Sequence, residues 1–156
     1  MKVLLLRHAH AVADGPGLAD SDRYLSHRGR EAARAVGNRL RDAGVVVSRV
    51  WTSPLVRAVQ TAELVVESAG VAADVETLPA LGTEGSPHAV VQQLSGVVDD
   101  VLLVGHMPSI STLGALLVGE TGFISLRPAE VALIDRGQPV WRLDPETLVL
   151  QELLLR

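Results

Sequence analysis

Val3-Leu4-Leu5-Leu6-Arg7-His8 is the stretch on which the reading of this chain turns: four apolar residues in an unbroken run, stopped by an arginine and a histidine. A strand with one wet face alternates apolar and polar side chains, whereas a strand covered on both faces does not. The run therefore predicts a central strand of a covered sheet. Parallel neighbours of such a strand need crossover connections, usually helices. The fold class then depends on whether helices and strands alternate through the rest of the chain.

They do. Ser26 is placed to cap a helix in which Ala32, Ala33, Val36, Leu40 and Ala43 recur at helical spacing, and Gly44 suits its stop. Val45 to Thr52 predicts a second strand, and Ser53-Pro54 reads as an N-cap and first helical residue, continued by Leu55, Ala58, Val59, Ala62 and Val65. A weaker strand follows near Val75 to Leu78, a helix near His88 to Leu94, and a strong strand at Val101 to Val104. Gly105-His106-Met107-Pro108 breaks that strand before a helix whose inward face is Ile110, Leu113, Leu116 and Leu117. Val131 to Ile134 and Val140 to Leu143 close the chain as a hairpin around Arg136-Gly137-Gln138. The expectation is an α/β fold: one three-layer α/β/α domain over residues 1–156, with a mainly parallel central sheet, helices on both faces, an antiparallel C-terminal edge and no large lid insertion.

Composition narrows the function. With 47% apolar and only 3% aromatic residues, the core is one of Val, Leu, Ile and Ala. A formal charge of -4 offers no general attraction for nucleic acid or anionic lipid, so neither is expected as a partner and any anion has to be caught locally. The absence of cysteine removes disulfides and thiolate nucleophiles. No apolar run approaches the ~20 residues of a membrane span, and the first is too short for a signal peptide core, so a cytoplasmic protein is expected.

Ligands of open α/β sheets sit beyond the carboxyl ends of the strands. Three segments fall at such ends: Arg7-His8, Ser53-Pro54-Leu55-Val56-Arg57, and Gly105-His106. Two arginines and two histidines are thereby candidates for one site. Arginine presents a fixed fork of donors matched to phosphate oxygens, and Arg57 falls in a first helical turn, where free N–H groups already favour an anion. A neutral imidazole keeps a nucleophilic nitrogen at pH 7, so one histidine can attack phosphorus while the second donates to the transferring group. With arginines supplying the charge, no metal and no cofactor is needed.

The same residues resemble the histidine phosphatase superfamily, whose opening motif after the first strand is Arg-His-Gly and stands here as Leu6-Arg7-His8-Ala9. The resemblance continues in Asp22-Arg23-Tyr24-Leu25-Ser26 through Gly29, in Ser53 to Ala62, and in Val104-Gly105-His106-Met107-Pro108. Ala9 and the Asp-Arg-x-Leu-Ser segment are similar to the short, lidless phosphohistidine phosphatases of the SixA type. The resemblance implies that His8 is the nucleophile, that Arg7 and Arg57 hold phosphate, and that His106 completes the pocket. It implies a phosphorylated substrate, with phosphohistidine, on a protein, as the leading candidate. Two positions depart from the pattern: Ala9 replaces a glycine, and Leu78-Pro79-Ala80-Leu81 carries alanine where a glutamate often stands. Glu84, a few residues on, is the candidate general acid. A missing acid suits phosphohistidine, which can release neutral imidazole, better than an alkyl ester, whose leaving oxygen must be protonated.

Other readings use the same residues. A small-molecule phosphatase or mutase acting on a phosphosugar or nucleotide needs the same four side chains, and a regulatory module would bind phosphate without turnover. His8-Ala9-His10 has the spacing of a metal pair, but the (β/α)₈ barrel that carries such a pair after its first strand needs ~250 residues. His10 is otherwise expected at the pocket mouth or in solvent, Asp14, His27 and His88 on the surface, and Asp20-Ser21-Asp22 outside any buried strand, with Asp22 and Arg23 bracing the loop that bears His8.

Overall fold

A computed structural model describes residues 1–155. One seven-stranded sheet runs in the order β3-β2-β4-β1-β5-β6-β7. Its strands are β1 (Lys2–Arg7), β2 (Arg49–Thr52), β3 (Val75–Thr77), β4 (Val101–Gly105), β5 (Val131–Asp135), β6 (Gln138–Leu143) and β7 (Leu150–Glu152). β1, β4, β2 and β3 pair in parallel, whereas β5, β6 and β7 add on antiparallel. The expected α/β class and antiparallel edge are therefore present.

The unbroken apolar runs are explained by helices on both faces. Leu4, Leu6, Leu102 and Val104 belong to one buried cluster with Ala33, Val36 and Leu40 of α1 (His27–Asp42) and Ala58, Ala62 and Val65 of α2 (Val56–Ala69). Val3, Leu5, Val101 and Leu103, one residue out of phase, join Val90 and Leu94 of α3 (Pro87–Leu94) and Ile110 and Leu113 of α4 (Ser109–Val118). Alternation thus persists in β1 and β4, but both faces bury apolar side chains, each worth roughly 1.5–3 kcal/mol when fully covered.

Ser26 caps α1 as expected, accepting from Gly29 N. The start of α2 differs. Its N-cap is Leu55, and the Ser53 hydroxyl, expected as the cap, accepts from Leu55 N and turns its other side to His106. The second strand is shorter than expected, because Val45 to Ser48 approach the sheet without pairing in it. β7 was not expected; it is a three-residue edge strand paired with β6.

β4 enters between β1 and β2, so the carboxyl ends of these three strands lie side by side. Arg7 pairs in register with Gly105, and Thr52 with Val104. This places the segments after all three strands at one end of the sheet.

Candidate active site

The backbone at Arg7-His8 is held from both sides. His8 N donates to Gly105 O at 3.0 Å, and Arg7 N donates to Glu130 O at 3.2 Å, while Ala129 N returns to Arg7 O at 3.1 Å. Ala129 makes that last contact with φ 65, a left-handed conformation that costs an alanine energy and persists only where the surroundings impose it. They do so through Glu130, whose carboxylate is fully buried. It accepts from Arg127 N at 2.8 Å and from Arg142 Nε at 2.6 Å, and pairs with the other arm of Arg142. The loop so fixed presents Leu126 O to Arg7 NH1 at 3.0 Å.

α2 ties in the next residue. Ala9 N donates to Thr61 Oγ1 at 3.0 Å, and that hydroxyl donates to Arg57 O at 2.7 Å, linking the His8 loop to the helix that carries Arg57. The start of α1 presses on the same loop, since a Cβ on Gly29 would overlap the His10 carbonyl, which leaves room for glycine alone.

These constraints fix the tautomer of His8. Its Nδ1 lies 2.7 Å from Ala9 O, which can only accept, so Nδ1 carries the proton and Nε2 is unprotonated. Arg57 Nε reaches that Nε2 at 3.4 Å. Burial, and after it the charges of Arg57, Arg7 and Arg23, outweigh the bond to Ala9 and lower the His8 pKa to about 4. The imidazole is therefore neutral at pH 7.

His106 faces His8 across the site, with ring centroids 5.0 Å apart. Its Nε2 lies 2.7 Å from Ser53 Oγ. That buried hydroxyl already accepts from Leu55 N, and among the described residues His106 is the one acceptor within its reach, which assigns the serine proton to Nε2 and the imidazole proton to Nδ1. Burial, then the fields of His8 and Arg57, lower the His106 pKa to about 3. Among the described residues, two buried side-chain polar atoms have no hydrogen-bond partner, and they are His106 Nδ1 and Arg7 Nε. Two donors and one nucleophilic nitrogen thus meet beside Arg57, which is 4% exposed.

Arg7, His8, Arg57 and His106 are brought together as expected. Glu84 is not: it is exposed and makes no hydrogen bond or ion pair with any of the four. The carboxylate at the site is instead Asp20, in a single 3-10 turn (Asp20–Asp22), which sequence reasoning passed over. Arg57 NH1 donates to Asp20 O at 2.8 Å and its NH2 to Oδ2 at 3.3 Å, while Arg23 NH1 donates to Oδ1 at 3.0 Å. Arg23 and Arg57 hold the Asp20 carboxyl below the usual carboxylate range. Arg23 does brace the loop, through Nε to Val12 O at 2.7 Å, but its partner is Asp20 rather than Asp22. The i,i+3 spacing of Asp20 and Arg23 was the available signal. His10 turns away from His8: its Nδ1 lies 2.6 Å from Ser26 Oγ, and it borders a different cavity with Arg28 and Arg127.

Comparison with known proteins fits this arrangement. The sequence model of the histidine phosphatase superfamily (branch 1) matches residues 3–82. Phosphohistidine phosphatase SixA of Escherichia coli (strain K12) is 34% identical over 154 residues, spanning 93% of this chain and 94% of that protein. The chain belongs to the histidine phosphatase superfamily. Within that superfamily, a solved structure of the protein histidine phosphatase SixA complexed with tungstate superposes with a TM-score of 0.85 at 30% identity, covering 96% of this chain and 100% of that one. A 2,3-bisphosphoglycerate-dependent phosphoglycerate mutase of Thermobifida fusca (strain YX) is 41% identical, but over 44% of this chain and 29% of its own length. The full-length similarities agree with the phosphatase expected from the sequence.

Proposed function

We propose that this phosphatase hydrolyses phosphohistidine, carried on a protein, by way of a phosphoryl group held on His8. Arg7 and Arg57 bind the phosphoryl oxygens, and the bond between phosphorus and the substrate imidazole breaks as His8 Nε2 forms its own. His106 donates from Nδ1 to an oxygen of the transferring group, where positioned donors contribute most. The substrate imidazole leaves neutral if its other nitrogen is protonated, so no general acid is required of the protein. Water then attacks the phosphoryl group on His8 and restores the free imidazole, releasing inorganic phosphate.

The observation that carries this reading is the pairing of an unprotonated His8 Nε2, approached by Arg57 Nε, with the unpartnered donors Arg7 Nε and His106 Nδ1. The full-length similarity to a phosphohistidine phosphatase supports the choice of substrate. A macromolecular substrate is supported by His8 and Arg7, which are only half-buried. As part of the same reading, the chain acts as one lidless domain in the cytoplasm, in keeping with its lack of cysteine and of any described helix long and apolar enough to cross a membrane.

The test is to mix the protein with radiolabelled phosphohistidine, quench within one turnover, and look for label on His8. An acid-labile, alkali-stable adduct that is absent in His8→Ala is expected. Turnover without any adduct in the wild type overturns the mechanism.

A further inference from the structure

The steps above leave one charged side chain at the site without a task. Asp20 stands over the arginine whose Nε meets His8 Nε2, and its carboxylate bridges Arg57 and Arg23. Its side chain is 53% exposed while that of Arg57 is 5%, so it lies on the solvent side of the cradle, where a leaving group departs. Its field also reaches His106. Among the described residues, no other carboxylate bonds to Arg7, His8, Arg57 or His106.

A carboxylate in this place is unfavourable for a phosphate dianion unless the other end of the substrate brings positive charge. Phosphoimidazole does so: its second ring nitrogen can be protonated, and that N–H can donate to a carboxylate. Alkoxide and phenoxide leaving groups bring no such proton, and Asp20, kept ionised by two arginines, has none to give them.

We infer that Asp20 sets leaving-group specificity: its carboxylate accepts the N–H of the protonated substrate imidazole during transfer to His8, favouring phosphoramidates over phosphate monoesters. In that step the N–P bond of the substrate breaks as the P–Nε2 bond to His8 forms. The electron pair goes to the leaving nitrogen, the proton stays on the other ring nitrogen, and Asp20 remains an anion throughout. The inference rests on the phosphohistidine reading.

Asp20→Asn keeps the shape and an oxygen for Arg23 while removing the charge. In the full chain, kcat/KM for phosphohistidine is expected to fall about tenfold or more, the worth of a charge-assisted hydrogen bond. For p-nitrophenyl phosphate it is expected to rise, because a like charge has gone. Asp20→Ser, which cannot mimic the carboxylate shape, should shift the ratio of the two constants in the same direction. A ratio unchanged from wild type in both variants, including the case where both constants drop together because Arg57 has slackened, overturns the inference alone. Wild-type protein that hydrolyses p-nitrophenyl phosphate but not phosphohistidine overturns the substrate reading, and this inference with it.

Discussion

Replacing Arg57 by alanine separates binding chemistry from stability. Its guanidinium offers NH1, NH2 and Nε, now spent on Asp20 O, Asp20 Oδ2 and His8 Nε2 at 2.8, 3.3 and 3.4 Å. Two of these donors turned to phosphoryl oxygens make charge-assisted bonds worth about 1.5–3 kcal/mol each, or about 3–6 kcal/mol together. At about 1.36 kcal/mol per factor of ten, kcat/KM should fall by roughly 10²–10⁴. Stability should move much less. The partner left behind, Asp20, has a side chain 53% exposed and can rehydrate, and removing a buried charge relieves its desolvation. Arg57 is also among the charges that hold the His8 pKa near 4, so the acid limb of kcat/KM should move upward in the variant. Steady-state kinetics across pH, the inhibition constant of inorganic phosphate and a thermal melt decide the matter. A kcat/KM within about threefold of wild type, with phosphate inhibition unchanged, refutes the role given to Arg57, since even one lost charge-assisted bond exceeds that.

Other outcomes follow from the same geometry. His8→Ala should abolish turnover with little change in melting temperature, because the backbone there is held by Gly105, Ala129 and Glu130 rather than by the imidazole; residual wild-type rate would contradict the mechanism. His8 and His106 have pKa values of about 4 and about 3, below the ~6.5 of an unfolded histidine, so the unfolded chain binds more protons in that window. Their contribution is thus fully present above pH ~6.5 and is lost as pH falls toward their folded values, by up to ~1 kcal/mol per pH unit per histidine. Urea midpoints measured from pH 7 to 5 should show a slope that His106→Ala reduces. Glu130→Ala leaves the part-exposed Arg142 and the Arg127 N without their shared acceptor and empties a fully buried position, and should cost ~1–3 kcal/mol in denaturant unfolding. Its kcat/KM should fall as well, since the loop that holds Arg7 loses its brace; full activity in the variant would show that the loop keeps its shape unaided.

What the sequence revealed and what it hid have different physical origins. Val3 to Leu6 and Val101 to Val104 were legible because burial on both faces leaves an uninterrupted apolar run, and a strand end followed by Arg7-His8 or His106 is a local signal. Ser53 was misassigned because Ser-Pro before an apolar period has the pattern of a helix cap; its hydroxyl is claimed by His106, a partner 53 residues away. Glu130 carries no local mark, and Asp20 carries only its i,i+3 spacing to Arg23. Each is an ordinary acidic residue in a loop, and its meaning comes from arginines supplied by α2 in one case and β6 in the other. β7 was missed because three residues at a sheet edge give too short a period to read, and Val45 to Ser48 were over-read because apolar residues that pack on a sheet need not pair within it.

The connections around the site bear on what becomes of a phosphoryl group once it is on His8. The longest stretches between the described helices and strands run from His8 to Ser26 and from Gly119 to Glu130; the first braces Arg57 and the second clamps Arg7. Both stretches are tied to the arginines of the pocket at these points. Partition of the phosphoryl group between solvent and a second acceptor is then set by concentration, and water is the most concentrated acceptor present. Shielding His8 from solvent, by grafting a covering segment between β3 and α3, is accordingly the change that would turn a hydrolase of this shape toward transfer.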